Sequence, residues 1–109
     1  MLERRERLKL EDGRELRLLS ALEVLEARRE AEGLARAPKE HALCSNACLL
    51  ARALETEEGS PVFSGGEAVL AGLRVEEIAA LSRTWSQFNR EENPALTMEQ
   101  EEAEELKKN

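Results

Sequence analysis

His41, Cys44 and Cys48 are the residues in this chain best suited to hold a soft metal ion. At about 100° per residue on one helix they fall within roughly 60° of one another. Three ligands for zinc would then share a face. Structural zinc sites, however, draw ligand pairs from separate elements, and the chain has no second Cys/His pair. The favoured reading is therefore two small buried cysteines and a histidine near a helix start, with no resident metal or cofactor.

Nucleophilic chemistry has less support. His41 is the only histidine, and Cys44 lies one turn from it. Neighbours on one helix do not converge as a Cys–His pair must. Nothing reads as a strand-turn-helix nucleophile elbow. Gly65-Gly66 precedes a helical stretch, but lacks the strand and the lysine of a phosphate-binding loop. The carboxylates are explained by solvation, capping and helix dipoles. The chain reads as a non-enzyme with no catalytic residue.

The elements around these residues are mostly helical. The chain has 109 residues, 36% charged, with three aromatic side chains and no tyrosine. Such a composition favours one helical domain with a core of leucine and alanine. Net charge is −7. Residues 1–39 carry ten bases and nine acids, and residues 91–109 carry two and seven, so the excess lies at the C-terminal end. Arg4, Arg5, Arg7, Arg28, Arg29 and Arg36 are interleaved with glutamates and read as a net-neutral solvated face. Nucleic acid is not an expected partner. No apolar run is long enough to span a bilayer, and the start of the chain is charged rather than signal-like. A cytosolic location is expected.

The first element expected is a β-hairpin. Leu8 and Leu10 alternate with charge, as do Leu16 and Leu18, around Asp12-Gly13. A three-residue loop keeps all four leucines on one face, either Glu11 to Gly13 or Asp12 to Arg14. The first is preferred, with Gly13 in the left-handed conformation. Ser20 and Glu23 have capping-box spacing and open a helix that Gly33 should end, with Arg28 and Arg29 in its last turns. Leu22, Leu25 and Val24 are assigned to its buried side. A second helix runs from Pro38 to about Glu55, with a stripe of Leu43, Ala47, Leu50 and Leu54. Ser64 and Glu67 repeat the capping spacing before a short helix ending near Gly72, with Val69 and Leu70 as core.

The last helix of the domain lies within Val75 to Pro94. Ile78, Leu81, Trp85 and Phe88 form its apolar stripe. Ile78, Leu81 and Trp85 are read as core. Phe88, near the helix end, is read as a partner contact. The leucine side of the hairpin (Leu8, Leu10, Leu16 and Leu18) is the other expected contact surface. The fold expected is thus mainly α, about four helices with an N-terminal hairpin, and α+β at the margin. Residues 1–94 form the domain, and residues 95–109 form an acidic helical or disordered tail.

Two stretches together carry a family likeness: SALEVLEARREAE, from Ser20, and LRVEEIAALSRTWSQFNREENP, from Leu73. They resemble small tail assembly chaperones encoded by tailed phages and prophages of low-GC Gram-positive bacteria. The likeness covers about a third of the chain. It implies a protein of the bacterial host cytoplasm that binds the helical, hydrophobic tape measure protein and helps tail tube protein assemble around it. No cofactor is implied. The alternative is a small structural or adaptor protein of the head–tail connection, and a metal-binding or redox domain is a more distant one. Self-association through the open edge of the hairpin is a further expectation.

Overall fold

The computed structural model describes residues 7–92. Two short strands, β1 (Arg7–Lys9) and β2 (Glu15–Arg17), pair antiparallel, with Leu8 opposite Leu16. This register leaves Glu11 to Gly13 as the loop. Gly13 has φ +94°, and the turn is closed by Leu10 N–H donating to Arg14 O at 2.8 Å. Asp12 supports it by accepting from the Arg14 backbone N–H at 2.9 Å. The Arg14 guanidinium hydrogen bond and charge hold the Asp12 carboxyl below its usual range.

Helix α1 (Ala21–Leu34) starts as its sequence dictates. Ser20 Oγ accepts from Glu23 N–H, and Glu23 returns to Ser20 N–H, a complete capping box. Its end differs from expectation. The helix passes through Gly33, and Ala35 closes it in extended conformation, donating to Ala31 O at 2.9 Å. Arg28 and Arg29 therefore lie before the last turn, which holds no basic residue.

A 3₁₀ turn (Pro38–Glu40) leads into α2 (His41–Ala53). The chain then leaves the helix earlier than the leucine stripe predicts. Leu54–Glu55 form a strand, β3, paired antiparallel to β2 with Leu16 opposite Leu54. The sheet order is β1-β2-β3, so the hairpin's second strand is central rather than an edge. Leu54 still reaches the core, as the stripe implied, but from a strand. Helices α3 (Gly66–Gly72) and α4 (Val75–Glu92) complete the fold. The described residues are thus mainly helical, with four α-helices and a small antiparallel sheet that includes the N-terminal hairpin. The tail, residues 95–109, lies outside the described residues.

Among the described residues, two packed clusters make up most of the core. The larger joins Leu16 and Leu54 of the sheet to Leu50, Val69, Ile78 and Trp85 from three helices. Trp85 locks it with direction as well as area. Its indole Nε1–H donates to Arg17 O at 2.8 Å, tying α4 to the end of the central strand. The smaller cluster is Ala27, Ala31, Cys44 and Cys48, where α1 meets α2. Side chains this small let helix axes approach closely.

The junction of α1, α2 and α3 depends on Glu30. Its Oε1 meets Arg52 Nη1 at 2.6 Å, and its Oε2 accepts from Gly66 N–H at 2.8 Å. Ser64 makes no side-chain cap on α3, and Gly65 stands at that position. The expected local capping box is replaced by a carboxylate from another helix. Burial works to raise the Glu30 carboxyl, but hydrogen bonds from Arg52 and Gly66 outweigh it and leave it lowered.

Gly66 is required here for space. A Cβ there would sit 2.4 Å from Cys48 Sγ and 3.2 Å from Cys48 Cα. Gly66→Ala is expected to destabilise the domain by about 1–3 kcal/mol, the usual range for overpacking. Chemical denaturation measures it, and Cys48→Ala in the same chain should recover part of the loss. Equal losses in the single and double variants would place the strain elsewhere.

Candidate functional site

The structure separates the three soft ligands. His41 is exposed at the start of α2, whereas Cys44 and Cys48 are buried against α1. Burial, then the neighbouring Glu30 carboxylate, pushes the Cys48 thiol up to about 12. It stays protonated at neutral pH, the form that neither binds metal nor attacks. Among the described residues no group of three or more His, Cys, Asp or Glu side chains is placed to hold a metal ion.

The hairpin leucines face inward. Leu16 is fully buried, and Leu8 and Leu10 pack on the larger cluster. Leu18 is half-buried. Their face is spent on the protein's own helices, which corrects its reading as a partner surface for Leu16 and weakens it for the others. Phe88 is corrected too. It is 2% exposed, so its ring is not on offer to a partner in this form.

The outer face of the sheet holds a charge cluster. Glu15 and Glu55 face each other across β2 and β3, and Arg7 faces Arg17 across β1 and β2. Directly opposed like charges are unfavourable. The long arginines resolve this diagonally. Arg7 Nη2 reaches over β2 to Glu55 Oε1 at 2.6 Å, while Arg17 Nε lies 3.3 Å from Glu55 Oε2. The Arg7 contact is out of line for a hydrogen bond and acts as charge on charge. Arg17 also grips Glu23 with both Nη atoms, joining the sheet to the cap of α1.

That grip has a pH consequence. Hydrogen bonding by Arg17 foremost, helped by the Ser20 N–H, lowers the Glu23 carboxyl from 4.5 to about 2. A depressed carboxylate stabilises the fold fully above its unfolded pKa. The contribution is lost as pH falls from about 4.5 towards about 2. Glu23→Gln should be less stable than the parent at pH 7, with the difference shrinking through that window. Denaturation midpoints at several pH values test this, and a constant difference down to the lowest pH would refute it.

Among the described residues three large apolar side chains are exposed: Val75 at the start of α4, 63% exposed, and a pair on α1. Leu22 is 58% exposed and Leu25 45% exposed. Both were expected in the core. Ala27 and Ala31 occupy the inward face instead, and Leu22 and Leu25 sit about 140° and 160° around the helix from Ala27. The visible sign was the spacing Ala27-x3-Ala31 beside Cys44-x3-Cys48, small residues on both of two successive helices. Where two helices meet through small side chains, leucines on the far face are left outside. The pair makes a small apolar surface of the kind that partner helices cover. Among the described residues no helix is long and apolar enough to cross a membrane.

A second surface feature is a groove of about 650 Å³ along α4, with Asn46 of α2 on its margin. Its walls include Arg83, Ser86, Gln87 and Arg90. No family model, no curated protein and no solved structure matches the chain.

Proposed function

We propose that the chain is a non-enzymatic phage tail assembly chaperone that binds the tape measure protein and assists assembly of the tail tube protein in the host cytoplasm. The reading starts from the likeness of the Ser20 and Leu73 stretches to that family. The observation that supports it is the exposed pair Leu22 and Leu25 on the first of those stretches. A chaperone for a helical, hydrophobic client needs an apolar surface that its own fold leaves uncovered. The contact therefore moves from the hairpin leucines and Phe88 to the outer face of α1. Self-association through β1 is less favoured than the open edge implied, because the strand is three residues long and carries exposed Arg7 and Lys9.

Co-expression with the tape measure protein tests the reading directly. The parent chain should increase the soluble fraction of that client. Leu22→Glu/Leu25→Glu should abolish the increase while leaving the helical circular dichroism signal and the unfolding midpoint nearly unchanged. No effect of the parent chain on client solubility would sink the proposal. Mass spectrometry of purified virions distinguishes the head–tail connection alternative, because a chaperone is absent from the finished particle and a connector is present.

A further inference from the structure

Helix α1 carries a residue that its own folded chain does not explain. Gly33 lies exposed in the last turn, without a positive φ. Among the described residues, a Cβ there would meet nothing within 4 Å. Neither a left-handed turn nor a close neighbour calls for glycine, although only proline is a poorer helix former. A side chain is missing where there is room for one.

The position of the gap is informative. Taking Leu22 as zero, Leu25, Glu26, Arg29 and Gly33 lie at about −60°, +40°, −20° and +20° around the helix. All of them are exposed, and together they form one strip about 100° wide. Ala31, packed against α2, lies about 180° from Leu22, so the strip points directly away from α2. It runs from leucine through a carboxylate and a guanidinium to bare backbone. That order is complementary to its own reverse.

We infer that a second copy of the chain covers this strip, α1 against α1, antiparallel across a two-fold axis midway between Ala27 and Arg28. Leu22 then sits over Gly33 of the second copy, where the absent side chain lets it approach the backbone. The same axis sets Glu26 opposite Arg29 of the second copy. Symmetry repeats each contact, so a leucine-on-glycine contact at either end flanks the ion pairs at the centre. Leu25 lies along the aliphatic stem of the same arginine. Parallel pairing would oppose like charges at both positions and is disfavoured. A 14-residue helix offers a strip about 21 Å long and about 10 Å wide. Such a contact buries well under about 1,200 Å² in total, so the dimer is weak and reversible. The pairing needs no client and does not rest on the chaperone role. Under that role, the second copy shields the two leucines until a client displaces it.

Sedimentation equilibrium of the purified full chain in low salt tests the pairing. Between about 10 μM and about 1 mM, the average mass should rise from 12.2 kDa towards twice that value. Leu22→Glu/Leu25→Glu should leave a monomer across that range. Gly33→Gln should weaken association about tenfold, yet raise the unfolding midpoint measured at low concentration, because a better helix former enters open space. Glu26→Arg and Arg29→Glu should each weaken association about tenfold. Mixing those two variants, or combining both changes in one chain, should restore it. Arg28→Gln, off the strip, should change nothing. Helical circular dichroism equal to the parent's verifies that each variant is folded. A parent chain that stays monomeric to about 1 mM overturns the proposal. Association that Gly33→Gln and the charge exchanges leave unchanged overturns it too, since the copies would then meet through another register or face.

Discussion

Trp85→Ala is expected to lower the free energy of unfolding by about 3–5 kcal/mol, the range for removing a large buried aromatic. Two losses combine. The indole is 7% exposed within the larger cluster, so its removal leaves a cavity beside Leu16 and Ile78. Its Nε1–H also satisfies Arg17 O at 2.8 Å, and truncation strands that carbonyl at the end of the central strand. Domains of this size hold about 5–15 kcal/mol in total. The variant should therefore sit near the edge of folding at 25 °C. Trp85→Phe separates the terms. It keeps most of the area and drops the hydrogen bond, so it should lose about 1–3 kcal/mol. Urea denaturation followed by circular dichroism measures both, since the variants lack the only tryptophan. A phenylalanine variant as unstable as the alanine one would mean that indole shape matters more than either term.

The second large effect is Phe88→Ala. At 2% exposed, Phe88 is the bulkiest of the fully buried side chains among the described residues. Its truncation should also destabilise by about 3–5 kcal/mol. Its place near the helix end predicted the reverse, loss of partner binding from a domain that stays folded. The two outcomes part cleanly in one experiment. If Phe88→Ala melts near the parent temperature, the ring is not a core element. Leu22→Ala and Leu25→Ala are the matched controls, because exposed leucines should cost only a few tenths of a kcal/mol, within the usual ±0.5 for surface sites.

Local chemistry was legible where neighbours in sequence decide the geometry. The alternation around Asp12-Gly13 located the hairpin and its loop, because register and the left-handed residue are both settled within a few positions. Ser20 and Glu23 located the start of α1 for the same reason. The capping pattern at Ser64 and Glu67 was identical in spacing, yet Glu30 took the role. A charge 36 residues away supplies the acceptor, and no local pattern encodes it. Leu54 and Glu55 continued a helical stripe in sequence but were captured by β2, since pairing with Leu16 buries Leu54 equally well. Gly33 failed to end α1 because nothing required a left-handed residue there.

The candidate contact surface was legible only in reverse. Leu22 and Leu25 looked like core because large apolar residues usually are. Whether a leucine is inside depends on what sits on the opposite face, and here Ala27 and Ala31 won the contact with α2. Phe88 was misplaced by the converse error, proximity to a helix end being taken for proximity to solvent. The metal reading of His41, Cys44 and Cys48 rested on shared azimuth. It ignored depth, and an exposed imidazole beside two buried thiols cannot converge on one ion.

The indole bond between Trp85 and Arg17 joins residues 68 positions apart. During synthesis at about 5–20 residues per second, that interval lasts about 3–14 s. Until β3 is made the N-terminal strands can form only a short hairpin, a structure marginal on its own in water. Helices α1 and α2 can form and pair meanwhile, since their contacts are near neighbours along the chain. The sheet can meet α1 and α2 earlier, through Arg17–Glu23 and through Leu16, Leu54 and Leu50, but its tie to α4 waits for Trp85. The bond that ties the first strands to the last helix is therefore the one that synthesis makes available last.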